Sequence, residues 1–190
     1  MKVMKVLGIA GSPRKEGNTE ILMRTALASA ERFGAEVELL RAVDKNVKPC
    51  NGCLTCLKTG ECVIKDDDMQ EIYQKLQAAD GIILGSPVYY FSVTAQMKVL
   101  IDRMFALYRD QTLANKIGGA IAVASRTGCI CTLDFFNRFF AYHNMLVAGM
   151  GASGYASKKG DIMKDTRALR ESEELGERLI FLIKSIKDSK

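Results

Sequence analysis

The chain has 190 residues, 48% of them hydrophobic, with three prolines, six cysteines, one histidine and a formal net charge of +5. That size and apolar content are enough for one domain over residues 1–190 with a sizeable core, and no compositionally biased tail is present. No apolar run approaches the ~20 residues of a membrane span, the apolar stretch 6–10 is too short for a secretory leader, and the scattered basic residues read as a solvated surface. A cytoplasmic protein with reduced thiols, and with no nucleic-acid or membrane partner, is expected.

In chain order, the first element is an apolar strand over 3–10, followed by a loop rich in Gly, Ser, Pro and Arg and by a helical stretch over 19–33. This is the strand, loop and helix order of a phosphate site. The loop is not a Walker A, because Gly11 and Gly17 enclose five residues and Asn18-Thr19 stands where Lys and Ser/Thr belong. Nor is it G-x-G-x-x-G, since only Gly8 and Gly11 precede Gly17 nearby. The hydroxyls of Ser12 and Thr19, the Asn18 amide, the Arg14 guanidinium and backbone N–H groups at a helix start remain, a set suited to a phosphate monoester. The alternative is an ordinary turn in which Thr19 caps the helix.

A second strand is expected over 36–41, and then the loop 47–66 carries Cys50, Cys53, Cys56 and Cys62 in the pattern C-x2-C-x2-C-x5-C. Four thiols in so short a loop are metal ligands, and soft sulfur donors point to zinc or an iron-sulfur cluster. Two successive two-residue gaps with a longer arm through Gly60 favour the cluster, since structural zinc more often takes two pairs across a longer spacer. Two disulfides or idle thiols are the competing reading, and disulfides would need an oxidising compartment.

A helix over 67–79 leads to a strand over 81–85 that is apolar on both faces at Ile82, Ile83 and Leu84. The strand opens directly into Pro87, Val88, Tyr89, Tyr90 and Phe91, flat aromatic surface on which an isoalloxazine ring could stack or against which a second subunit could pack. A helix over 94–108 and a strand over 117–124 follow, and Ser125, Arg126 and Gly128 then offer donors for the pyrimidine edge of a flavin. Cys129 and Cys131 read as packed thiols, and His143 has no partner for a catalytic pair. After a helix over 133–142 and a strand over 145–149, residues 150–164 read as irregular. The last helix, 166–187, places Leu175, Leu179, Leu182 and Ile186 on one stripe, to pack on the sheet or on a partner. Alternating strands and helices with doubly apolar strands specify an α/β fold: a doubly wound five-stranded parallel sheet in three α/β/α layers, with ligands at the carboxyl ends of the strands.

Three motifs in this order carry a family likeness: the run 11–19, GSPRKEGNT; the cysteine pattern followed by VIKDDDM; and SPVYYFSVTAQMK with Ile101-Asp102-Arg103. Over about the first 150 residues the chain resembles the flavodoxin-like NADPH-dependent FMN reductase superfamily and, within it, the iron-sulfur flavoprotein family. The resemblance implies a tightly bound FMN, with phosphate contacts from Ser12, Arg14, Gly17, Asn18 and Thr19 and ring contacts from Pro87, Val88, Tyr89, Tyr90 and Phe91. It implies a 4Fe-4S cluster on the four cysteines, and a homodimer or homotetramer in which one subunit's cluster approaches another's flavin. NAD(P)H or ferredoxin would be the electron donor and a small molecule the acceptor, with no side chain needed as acid or base. Relatives usually carry Gly where this chain has Phe91, which narrows one flavin face. The competing functions are a cluster-free NAD(P)H-dependent FMN or quinone reductase and a non-enzymatic flavin-binding module with a zinc or structural cysteine loop.

Overall fold

A computed structural model describes residues 3–188. Strands β1 (Met4–Ala10), β2 (Ala35–Arg41), β3 (Gly81–Pro87) and β4 (Ile117–Ala124) run parallel in the order β2-β1-β3-β4. The next position is shared by β5 (Leu146–Val147) and β6 (Ala152–Tyr155), both parallel to β4. The expected doubly wound five-stranded parallel sheet is therefore present, in the order 2-1-3-4-5, with its last strand broken in two. Gly149 and Gly151, at φ +97° and +104°, make the break, conformations that side-chain-bearing residues avoid. The strand expected over 145–149 is thus two residues long, and the stretch expected to be irregular holds β6 and a 3-10 turn, Asp161–Lys164.

Side chains alternate strictly across the sheet. Leu7, Ile9, Ile82 and Leu84 face a core shared with α3 (Met69–Ala78), α4 (Ala95–Arg103) and α5 (Cys129–Tyr142). Val6, Ile83, Ile121 and Val123 face the opposite core, built with α1 (Asn18–Arg32) and α6 (Thr166–Asp188). All eight residues of β4 are buried, as a central parallel strand requires. Its Gly118 admits the Phe140 ring, which would lie 2.5 Å from a Cβ placed there.

The α6 stripe packs inward: Leu175 and Leu179 are buried, and Leu182 and Ile186 are partly buried against the same core. No described helix is long and apolar enough to cross a membrane. The chain crosses β1 between making β2 and β3, so the winding reverses between β1 and β3, and the cleft at their carboxyl ends is where a doubly wound sheet binds ligands.

Candidate flavin site and cysteine loop

The loop after β1 is held from beneath by β3 and α4. Gly11 N donates to Gly85 O at 2.7 Å, and Thr94 Oγ1 donates to Gly11 O at 2.7 Å. A Cβ on Gly11 would sit 2.9 Å from the Met97 Cβ, so the close approach demands glycine. Further along, Ser12 Oγ accepts from Arg14 N at 3.2 Å and Gly17 N donates to Arg14 O at 3.1 Å.

Gly17, rather than Thr19, is the N-cap of α1, and no side chain caps the helix. The first-turn N–H groups and the positive end of the helix are therefore left to a ligand. Glu20 Oε2 accepts from Glu16 N at 2.8 Å, which fixes the loop to the helix. Burial pushes the Glu20 carboxyl up, but hydrogen bonds from Arg24 and Glu16 N and the nearby Arg41 hold it below its usual value.

A second wall comes from the end of β3. Val88 N donates to Val123 O at 2.8 Å, and Ser86 Oγ accepts from Thr94 N at 3.0 Å. Tyr89 and Ser92 exchange both backbone hydrogen bonds, at 2.9 and 3.1 Å, around Tyr90 and Phe91, at φ +47° and +63°. Two consecutive left-handed residues are the signature of a tight type I′ hairpin turn, usually Asn-Gly; with bulky side chains the turn costs about 1–2 kcal/mol per residue. It leaves Tyr90 wholly exposed and Phe91 62% exposed. Gly128 (φ +97°) lets the β4–α5 loop close on this wall, since a Cβ there would lie 2.9 Å from Val88 Cγ1.

Ser12, Arg14, Asn18 and Thr19 from the first loop, Pro87, Val88 and Tyr89 from the second, and Ser125 from the third line one hollow of about 160 Å³. Gly17, Tyr90, Phe91, Arg126 and Gly128 do not line it. Sequence reasoning missed its remaining wall, Val123 with Ala156 and Ser157; the Gly, Ser and Lys content of 150–164 was the available signal. Asn18, which lines the hollow, also braces it. Its Nδ2 donates to Lys158 O at 2.8 Å and its Oδ1 accepts from Gly160 N at 2.8 Å, so the amide pins that missed wall in place. A larger hollow of about 550 Å³ between α6 and the β5–β6 break, with Met150, Glu171, Glu174 and Phe181 on its walls, has neither an uncapped helix start nor an aromatic strand-end loop.

The cysteine loop lines no part of this hollow. It leaves β2 through the 3-10 turn Ala42–Asp44, and its short helix α2 (Thr55–Thr59) carries Cys56. Gly52, Leu54 and Gly60, all at positive φ, turn the chain on either side of α2; a left-handed leucine is strained and persists where the surroundings demand it. Cys50 and Cys53 are exposed, and Cys56 and Cys62 are half-buried. Burial pushes the Cys56 thiol up, and so do Cys62, Cys50 and Cys53, which places all three within electrostatic reach of it. Hydrogen bonds involving Thr55 pull the Cys53 thiol down. Among the described residues no three His, Cys, Asp or Glu side chains converge tightly enough for a single metal ion.

Outside both sites, Cys129 is buried as expected, whereas Cys131 is exposed rather than packed. His143 is buried against the rings of Phe139, Tyr108 and Tyr142, and burial lowers its pKa to about 4.

The family model described as NADPH-dependent FMN reductase matches residues 4–158. The chain belongs to this family. It is an FMN-dependent oxidoreductase. Among its relatives, an iron-sulfur flavoprotein of Methanocaldococcus jannaschii is 44% identical over 97% of this chain and 100% of its own length. An iron-sulfur flavoprotein of Methanosarcina thermophila is 36% identical over 98% of this chain and 99% of its own. The fold is similar to that of RosB solved with bound 8-demethyl-8-formylriboflavin-5′-phosphate, at TM-score 0.84 and 16% identity over 98% of this chain and 81% of that one. It is also similar to an archaeal flavodoxin, at TM-score 0.65 and 20% identity over 95% and 99% of the two chains.

Proposed function

We propose that this FMN reductase family member is an iron-sulfur flavoprotein, exchanging electrons between a reduced donor, NAD(P)H or ferredoxin, and a small acceptor. The observation that carries the reading is the set of four thiols in one exposed loop. Three of them bear electrostatically on Cys56. Structural zinc more often takes two pairs of thiols across a longer spacer, whereas two successive two-residue gaps followed by a longer arm suit a four-iron centre. Cys50, Cys53, Cys56 and Cys62 would hold the cluster.

FMN would sit with its phosphate on the α1 start, among Ser12, Arg14 and Thr19, and its ring beside Pro87, Val88 and Tyr89. Bound flavin exchanges electron pairs or single electrons, and a cluster exchanges single electrons, so together they join two-electron donors to one-electron acceptors. The chain's own part is binding and orientation: neutral donors and a helix end for the phosphate, an aromatic wall for the ring, and Ser125 bounding the far edge.

Separation of the cysteine loop from the hollow within one chain, together with the exposed Tyr89, Tyr90 and Phe91, supports a homodimer or homotetramer that brings one subunit's loop to another's flavin. Anaerobic reconstitution with iron and sulfide tests the cluster: uptake of about four irons per chain is expected. Uptake of zinc alone, or of no metal, overturns it. Light scattering showing only a monomer at micromolar concentration would remove the assembly.

A further inference from the structure

We propose that Arg103 is a positioning residue for the cysteine loop, gripping both of its stems with one guanidinium and so fixing the gap across which the four thiols face one another; this rests on the reading that the loop holds a cluster. Arg103 closes α4 and is 1% exposed. Its Nη1 donates to Lys48 O at 2.8 Å and its Nη2 to Ile64 O at 3.0 Å. Lys48 stands two residues before Cys50 and Ile64 two residues after Cys62, so the two carbonyls are the gateposts of the ligand-bearing segment.

Asp67 completes the grip. It pairs with the same guanidinium, both side chains being fully buried, and its Oδ2 also accepts from Lys48 N at 3.0 Å. Tyr73 Oη donates to Arg103 O at 2.7 Å and ties α3 to the end of α4. The tip beyond the gateposts is held by short local contacts, such as Cys53 N to Asn51 Oδ1 at 3.2 Å.

A buried ion pair is a poor way to hold two helices together, since well-packed apolar side chains of similar volume often do as well or better. What an apolar pair cannot do is bond two carbonyls sixteen positions apart in the chain, 48 and 64. A planar fork with five donors can, whereas the point charge of lysine cannot hold both carbonyls and the carboxylate in one plane. The Nε of Arg103 is buried without a partner, so the fork is set for the stems at the expense of its own remaining donor.

The test uses the full chain with FMN bound. Arg103→Met combined with Asp67→Leu removes the grip without leaving a buried unpaired charge, and Arg103→Lys keeps the charge but not the fork. Hydrogen exchange is measured on the iron-free proteins, and iron content and cluster absorbance after anaerobic reconstitution. In the double variant, amides of 48–66 should exchange about tenfold or more faster, while flavin absorbance and exchange in β1, β3 and β4 match the parent. Iron should be lost to a chelator about tenfold or more faster. Arg103→Lys should share both defects; if the double variant fails to fold, this variant decides alone. Parental exchange over 48–66, or parental iron retention, in a folded variant overturns the proposal. If the parent itself takes up no iron, the cluster reading fails, and the exchange comparison still decides whether Arg103 holds the loop.

Discussion

The phosphate loop (12–17) and the cysteine loop (47–66) follow neighbouring parallel strands, yet they are held in opposite ways. The first is anchored along its length: Gly11 to β3 and Thr94, Ser12 and Gly17 to Arg14, Glu16 to Glu20. The second is anchored at its stems by Arg103 and Asp67, and its thiols project on a tip where Cys50 and Cys53 are exposed. A phosphate is bound by donors that must already point the right way, because neutral donors repay their desolvation only when preorganised. Thiolates that close around a metal centre gain their order from the centre, so folding free energy is supplied with the metal.

The largest effect should come from Cys56→Ser. Removing this half-buried thiol should abolish stable iron uptake while leaving FMN content and thermal stability of the FMN-loaded, iron-free protein unchanged; loss of flavin together with iron would show that the two loops are not independent. Next comes Asp67→Asn, which leaves Arg103 buried opposite a neutral partner and should cost about 3 kcal/mol in urea unfolding. Burial pushes the Asp67 carboxyl up, but hydrogen bonds from Arg103, Lys48 N and Met69 N, together with the Arg103 charge, outweigh it and hold the folded value below the ordinary 3.8. Its contribution is therefore fully present above about pH 4 and is lost as pH falls through the folded value. Exchange over 48–66 in the parent should quicken on acidification below about pH 4, and the Asn variant should show that looseness already at neutral pH.

Thr19→Ala should weaken FMN by about 1.5–3 kcal/mol, the range for a hydrogen bond to a charged group, and leave riboflavin affinity unchanged. An equal loss for riboflavin would place the hydroxyl away from the phosphate. Smallest is Thr94→Val. It removes the α4 N-cap, whose Oγ1 accepts from Met97 N at 3.3 Å, and the tie to Gly11 O, and should lower stability by about 1 kcal/mol. Exchange should quicken at the phosphate loop and not over 48–66, the reverse of the Asp67 variant.

The parallel sheet and most helices were legible because apolar periodicity is local: the doubly apolar runs 82–84 and 120–123 could only be buried parallel strands. The elements that deviated are set by single residues. The fifth strand breaks at two glycines held at positive φ, and α4 tightens into a 3-10 turn, Met104–Leu107, after Arg103. In the loop after β3 the aromatic run was visible but its conformation was not: Phe91 stands at φ +63°, a backbone that glycine adopts without strain and a phenylalanine does not.

By itself the sequence determined the phosphate-loop order, the four-thiol pattern and the parallel sheet, since each is written in spacings of a few residues. Only the tertiary structure decided that Asn18 would spend its amide on Lys158, 140 residues away, and that Arg103 would grip Lys48 and Ile64. Those bonds join donors and acceptors that meet only once the helices have packed. A buried amide or guanidinium must take whatever partners packing brings within reach, and local spacing does not record which those are.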